Sequence, residues 1–156
     1  MSSLKSYGVE MRKTILVDID HTISNSFWRD SMMGNRDWDA YHSASVDDKP
    51  IPDTIDMLCA LQVQGYKIIG ITARPEKWRD LTMKWLIRHL VCMDELLMRP
   101  DDSFRPAPEI KMELVAKRFG DNLCEEVAFI MDDRDDIATA FKGCGITVLQ
   151  VHARHT

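Results

Sequence analysis

Residues 14–22 read TILVDIDHT, an apolar, β-rich run that breaks into two carboxylates. Thr14–Ile19 predicts a strand, with Asp18 and Asp20 at its carboxyl end. Outward from it, strand-like and helix-like periods alternate along most of the chain. Asp53–Gln64 places Ile55, Leu58, Cys59 and Leu61 on a helical stripe that Gly65 stops. Lys67–Ile71 predicts a second strand. Pro75–Leu90 predicts a helix with Trp78, Leu81, Trp85 and Leu86 on its apolar face. Glu95–Met98 predicts a short third strand, Pro108–Phe119 a helix closed by Gly120, and Val127–Met131 a fourth strand. Asp135–Lys142 predicts a helix ended by Gly143, and Ile146–Val151 a fifth strand.

This alternation implies an α/β fold, a parallel sheet covered by helices on both faces. In such sheets the ligand crevice lies beyond the carboxyl ends of the strands. Asp18 and Asp20 end the first strand, Thr72 the second, and Asp132 and Asp133 the fourth, so distant polar groups converge on one rim. The stretch from His21 to Pro52 breaks the pattern and carries Phe27, Trp28, Trp38, Tyr41 and His42. A loop that long in a compact domain points to function. It is expected to form a small cap inserted after strand one, at about residues 23–50. Short helical pieces are expected near Trp28–Met33 and Trp38–Val46, with a turn at Gly34–Asn35.

The chain has 156 residues, 45% apolar and 29% charged, the composition of one soluble globular domain, taken as residues 1–156. No apolar run approaches the roughly 18–20 residues that span a membrane. Met1–Lys13 lacks the apolar core of a secretory signal, so a cytoplasmic protein is expected, in a bacterial or phage-infected host cytosol. Cys59, Cys92, Cys124 and Cys144 form no CxxC motif, and three of them lie among apolar residues, which reads as small core side chains. His152 and His155 read as solvated tail residues.

A net charge of −5 argues against a broad duplex-binding face, though not against a small site for a nucleotide or a strand end. Much of the excess acid falls in three clusters, Asp18/Asp20, Asp47/Asp48 and Asp132 to Asp136, and clustered acid is what a divalent cation needs.

In a strand, residues two apart point the same way, and a turn at its end can bring the Asp20 carboxylate over Asp18. One carboxylate can attack phosphorus in line. The other can protonate the leaving oxygen and then take a proton from water to hydrolyse the acyl phosphate. Two carboxylates and a phosphate repel one another, so a cation is required, and Asp132 and Asp133 offer further oxygens to Mg²⁺. Thr72 can donate to a phosphate oxygen, and Lys111 can neutralise charge on the transferred group. DxD alone is a common string. The ordered set is specific: DxDxT after one strand, Thr after the next, a later Lys, then DD after an apolar strand.

That set resembles the four motifs of the haloacid dehalogenase (HAD) superfamily, from about Thr14 to Val151. The resemblance implies a three-layer αβα sandwich with a parallel sheet, a HAD-like Rossmannoid. It implies Asp18 as nucleophile, Asp20 as acid/base partner, and Thr72 and Lys111 as the second and third motifs, with Lys117 competing for the third. Mg²⁺ would be held by Asp18 and Asp132 directly, by the backbone carbonyl of Asp20, and by Asp133 through water. Asp20 disfavours a dehalogenase, and the missing DKTGT disfavours a P-type pump. A receiver domain carries its acidic pair first, the wrong order.

Arginine suits planar, bidentate phosphate contact. Arg74, Arg99, Arg105 and Arg134 follow the motif strands, and Thr22, Arg74, Arg99 and Arg134 are taken as substrate-binding. ITARP, LLMRP and IMDDR, with the segment DWDAYHSASVDDKPIP, resemble the 3′-phosphatase domain of bacteriophage polynucleotide kinase-phosphatases and their stand-alone phage relatives. No GxxxxGK[ST] occurs, so a phosphatase without the kinase is expected. The expected activity is Mg²⁺-dependent hydrolysis of nucleotide or polynucleotide phosphates at 3′ ends. The alternatives are a 5′-(deoxy)nucleotide or other small-metabolite phosphatase, a phosphomutase, or a binding module without turnover. Trp28, Trp38, Tyr41 and His42 could stack on a base, and stacking is worth about 1–3 kcal/mol per base.

Overall fold

The computed structural model describes residues 13–154, so His155 and nearly all of Met1–Lys13 lie outside the described residues. The chain opens with β1 (Thr14–Val17) and β2 (Ser24–Asn25). A 3₁₀ stretch, Phe27–Asn35, leads to α1 (Trp38–Ser43), β3 (Lys49–Pro50) and α2 (Pro52–Val63). Next come β4 (Lys67–Pro75), α3 (Arg79–Arg88), β5 (Glu95–Arg99), α4 (Ala107–Phe119) and α5 (Leu123–Glu126). The chain continues through β6 (Val127–Asp132), α6 (Asp135–Gly143) and β7 (Thr147–Gln150).

Five of these strands form one sheet in the order β5-β4-β1-β6-β7, every pair parallel. A central parallel strand has both faces covered, which is why TILV is an unbroken apolar run and all four of its residues are buried. Alternate residues divide between two cores. Ile15 and Val17 pack with Ile55 and Leu58 of α2 and Trp85 and Leu86 of α3. Leu16 packs on the other face with Val115 and Phe119 of α4 and Ile137 and Phe141 of α6. The result is the three-layer αβα arrangement the alternation implied. Connections run from β1 out to β4 and β5, then return to β6 and β7 on the other side. The order therefore reverses between β1 and β6, the place where such sheets bind ligands.

Several details differ from the sequence reading. The expected loop His21–Pro52 holds a two-stranded antiparallel pair, Ser24↔Pro50 and Asn25↔Lys49. Two-residue polar strands carry no alternation to read. Gly34–Asn35 ends the 3₁₀ stretch instead of forming the turn, and Arg36 takes the left-handed position at φ 52. Thr72 does not end its strand. β4 runs on to Pro75 past a register break between Thr72 and Pro75. The helix expected from Pro75 is a short 3₁₀ turn, Glu76–Trp78, followed by α3. All four cysteines are exposed, contrary to the core reading. On α2 the inward stripe is narrow, Ile55 and Leu58, and Cys59 falls just outside it. Asp48 does not join the metal-type cluster and is buried against arginines.

Glu95 fastens β4, β5 and α4 together. It accepts from Lys67 Nζ at 2.6 Å and from Arg118 Nε and Nη2 at 2.7 Å each. These donors, Arg118 first, pull its carboxyl down to about 2 from an ordinary 4.5. A depressed carboxylate stabilises the fold above its unfolded value and loses that contribution as pH falls toward the folded one. Glu95→Gln is therefore expected to cost about 1 kcal/mol at pH 7, after solvent screening of a half-open pair. The difference from wild type should shrink between pH 4.5 and about 2, checked by urea unfolding across that range.

Candidate active site

The ladder of β1 and β6 delivers the first groups. Asp18 N donates to Met131 O at 2.9 Å, one residue beyond the end of β1. This holds Asp18 level with Asp132 across the reversal point. Beyond Asp18 the chain folds tightly on itself: Thr22, Ile23 and Ser24 N–H groups all donate to Ile19 O. The turn needs a left-handed residue, and His21 takes it at φ 63, where glycine would be less strained. Anchors offset that cost. Its ring meets Ser26 Oγ at 3.1 Å and Asp30 Oδ1 at 3.1 Å, and it stacks on Phe27 with centroids 4.2 Å apart.

Asp18, Asp132 and Asp133 bring carboxylate oxygens within 4.8 Å of one another. Asp18 and Asp132 are buried. Lys111, from the first turns of α4, reaches both. Its Nζ lies 2.7 Å from Asp18 Oδ1 and 2.6 Å from Asp132 Oδ2. Burial alone would lower the lysine's proton affinity, but the two aspartates outweigh it and hold the ammonium charged. Thr22 Oγ1 donates to Asp18 Oδ2 at 3.1 Å from beneath. Burial first, and then Asp132, pushes the Asp18 carboxyl well above the ordinary range despite Lys111. Burial and Asp132 raise Asp133 as well. The set is therefore crowded, oxygen-only, mostly buried and short of positive charge. A hard divalent cation such as Mg²⁺ fits those donors.

Asp20 turns the other way. Arg74 grips it in a fork, Nε to Oδ2 at 3.0 Å and Nη2 to Oδ1 at 2.7 Å, and Arg29 Nη2 also donates to Oδ1. Burial favours its neutral form, yet Arg74 and Arg29 prevail and keep the carboxyl well below the usual range. Arg29 is fully buried and makes a second fork onto Asp48, at 2.9 and 2.8 Å. Its guanidinium lies 4.2 Å from the centre of the Tyr41 ring. Asp48 also accepts from Ser24 Oγ at 2.5 Å and Trp28 Nε1 at 2.9 Å, while its carbonyl takes Trp85 Nε1 at 2.8 Å. Two arginines and two aspartates thus fasten the insert between β1 and α2 to the body of the fold.

A cavity of about 570 Å³ opens above these groups. Asp18, Asp20, Thr72, Lys111 and Asp133 line its floor. Thr72 Oγ1 accepts from Arg74 N at 3.2 Å, which leaves its hydroxyl hydrogen for the cavity. Arg99 and Arg134 line the cavity too. Arg134 is paired with Asp136 at 2.5 Å, and Arg105 with Glu113. Arg99 donates only to carbonyls, those of Ala73, Ser103 and Arg105. It forms no ion pair among the described residues.

The structure thus brings Asp18, Asp20, Thr72, Lys111, Asp132 and Asp133 to one place, with Thr22 beneath them. Lys117 is exposed on the outer side of α4. Arg29 escaped the sequence reading, and Asp48 was read there only as clustered acid. Their only signal is an arginine and an aspartate inside a segment without period, and neither tells its partner. Trp28 is committed to Asp48, whereas Trp38 and His42 face the cavity.

The family model described as "Polynucleotide kinase PNKP phosphatase domain" matches residues 12–155. A Bacillus cereus protein named "Putative nucleotidase" is 32% identical over 92 residues, covering 52% of this chain and 47% of its own length. A chain in the "Structure of Pnkp1/Rnl/Hen1 complex" superposes with a TM-score of 0.76 at 24% identity, over 96% of this chain and 50% of that one. A class C acid phosphatase from Bacillus anthracis with tungstate bound superposes at 0.62 with 17% identity, over 94% of this chain and 69% of that one. The chain therefore spans about half the length of the first two. No helix among the described residues is long and apolar enough to cross a membrane.

Proposed function

The chain belongs to the PNKP phosphatase-domain family of the HAD superfamily, and from that premise we propose that it is a phosphatase that removes 3′-phosphates from nucleotides or polynucleotide ends, with Asp18 as nucleophile. The observation that carries the proposal is the meeting of Asp18 with Lys111, Asp132 and Asp133 at the floor of a cavity large enough for a nucleotide.

Asp18 Oδ1 and Oδ2 are fixed by Lys111 and Thr22, so the carboxylate needs no reorientation to meet phosphorus. Lys111 and Thr72 sit where charge develops on the transferred oxygens. Asp20 must take up a proton, against the two guanidiniums that hold it ionised, before it can give one to the leaving oxygen; the carboxylate so formed then takes a proton from the water that hydrolyses the acyl phosphate. Mg²⁺ would be held by Asp18 and Asp132, by the Asp20 carbonyl, and by Asp133 through water; once bound, it neutralises the crowded carboxylates and the phosphate. The insert serves as a small cap, and Arg99 attracts the anionic end of the substrate.

The similarity to a protein named a nucleotidase favours 5′-nucleotides as a second reading. A panel of 3′-phosphorylated oligonucleotides, 3′-nucleotides, 5′-nucleotides and sugar phosphates separates the two. Turnover is expected on the 3′-phosphates, and EDTA should remove it and excess Mg²⁺ restore it. Cleavage of 5′-nucleotides or sugar phosphates alone would reject the 3′ assignment. Full activity in EDTA would reject the metal.

A further inference from the structure

Two walls of the cavity carry aromatic rings that the chemistry above does not use. Phe104, on the loop after β5, is 93% exposed, and Trp38, at the start of α1, is 51% exposed; both line the cavity. His42 lies one helical turn beyond Trp38, with ring centroids 6.4 Å apart and planes 29° from parallel. It also lines the cavity and is nine-tenths buried, with its Nδ1 sealed from solvent. Leaving the Phe104 ring and half of the Trp38 indole in water costs free energy. A flat ligand with an apolar face would relieve that cost.

A phosphate does not suit these groups. Burial, with Arg74, Arg29 and Arg99 nearby, lowers His42 to about 4, so at neutral pH it is an uncharged imidazole. A neutral imidazole does not draw an anion, so this wall suits an uncharged ring. Arg99 is fixed beside the Phe104 loop, through Ser103 O at 3.2 Å and Arg105 O at 2.6 Å. It also donates to Ala73 O at 2.8 Å, next to Thr72, so its charge joins the Phe104 loop to the floor, along the course a sugar-phosphate would take.

We propose that the nucleobase of the phosphorylated nucleotide stacks in the aromatic part of the cavity, on Phe104 and Trp38, with the His42 ring backing Trp38. The proposal rests on the nucleotide-phosphatase reading and names the group that reading leaves open. Stacking on exposed rings tolerates any base, so the subsite selects for a base over none and does not select one base strongly.

The test compares a nucleoside 3′-phosphate with ribose 3-phosphate on wild type, Phe104→Ala and Phe104→Trp. A residue this exposed can be changed without endangering the fold. Wild type should prefer the base-bearing substrate by roughly 5- to 150-fold in kcat/KM, the worth of one stacked base, expressed in KM. Phe104→Ala should bring the ratio of the two kcat/KM values near one, and Phe104→Trp should keep it. An unchanged ratio in Phe104→Ala, or no preference in wild type, overturns the subsite while leaving the phosphatase reading intact. If neither substrate turns over, binding of unphosphorylated nucleoside decides, followed by tryptophan quenching. Quenching that Phe104→Ala abolishes upholds the subsite alone, and no quenching rejects both.

Discussion

Asp18→Asn is expected to lower kcat on a 3′-phosphorylated substrate by roughly 10⁴-fold or more, the scale at which removing a nucleophile leaves only binding and electrostatics. The amide is nearly isosteric. It can accept from Lys111 Nζ and meet Thr22 Oγ1, which stand 2.7 and 3.1 Å from the carboxylate oxygens, so the site keeps its shape. The fold should not suffer. Burial and Asp132 push the Asp18 carboxyl up, which means that its ionised form weighs against the folded state at neutral pH. Thermal unfolding without Mg²⁺ should therefore show a Tm for the variant no lower than wild type. Added Mg²⁺ should raise the wild-type Tm more than the variant's, because one donor has lost its charge. Retained turnover in the variant would remove Asp18 from the role given to it. A Tm fall of many degrees would mean that the carboxylate is chiefly structural.

Arg29→Ala carries the largest expected effect on stability. Arg29 has no exposed surface, and it serves two carboxylates, Asp48 with two hydrogen bonds and Asp20 with one. Removing it leaves Asp48 buried with two neutral donors, Ser24 Oγ and Trp28 Nε1, and with Arg74, 3.7 Å away, as its nearest remaining cation among the described residues. Breaking such a pair from one side costs about 3–5 kcal/mol. For a chain of this length that is roughly 6–20 °C in Tm. Arg29→Lys should recover little, since a lysine cannot make the fork that joins the two aspartates. Activity should fall unevenly. With one of its two guanidiniums gone, Asp20 is less firmly placed, and substrates with poor leaving groups, which need its proton, should lose more than aryl phosphates. Equal losses on both would confine Arg29 to holding the insert in place.

The parallel sheet was legible because buried strands and amphipathic helices write their periods into the chain. The floor of the site was legible because Asp18 and Asp132 occupy neighbouring strand ends, which that sheet class uses for ligands. Lys111 could be picked out only as a motif residue. Its two short bonds depend on the way α4 crosses the sheet, and sequence periodicity does not report that. The insert was illegible in its detail. Its stability comes from a charge network between Asp20, Arg29, Asp48 and Arg74, whose members lie up to 54 residues apart, and from strands of two residues. Neither leaves a periodic trace. Arg74 and Arg134 looked alike in sequence, each following a motif. One is buried against Asp20 and the other is paired at the surface with Asp136. Burial, invisible in composition, separates them. The cysteines failed for a related reason: apolar neighbours along the chain do not make a residue face inward.

The most direct measurement is acid quenching during turnover of a 3′-phosphorylated oligonucleotide with Mg²⁺, followed by mass spectrometry of the intact chain and its peptides. A transient phosphate adduct, removed by hydroxylamine and confined to the peptide bearing Asp18, is the predicted result. Turnover at full rate with no adduct at any quench time, or an adduct on another residue, would contradict the account.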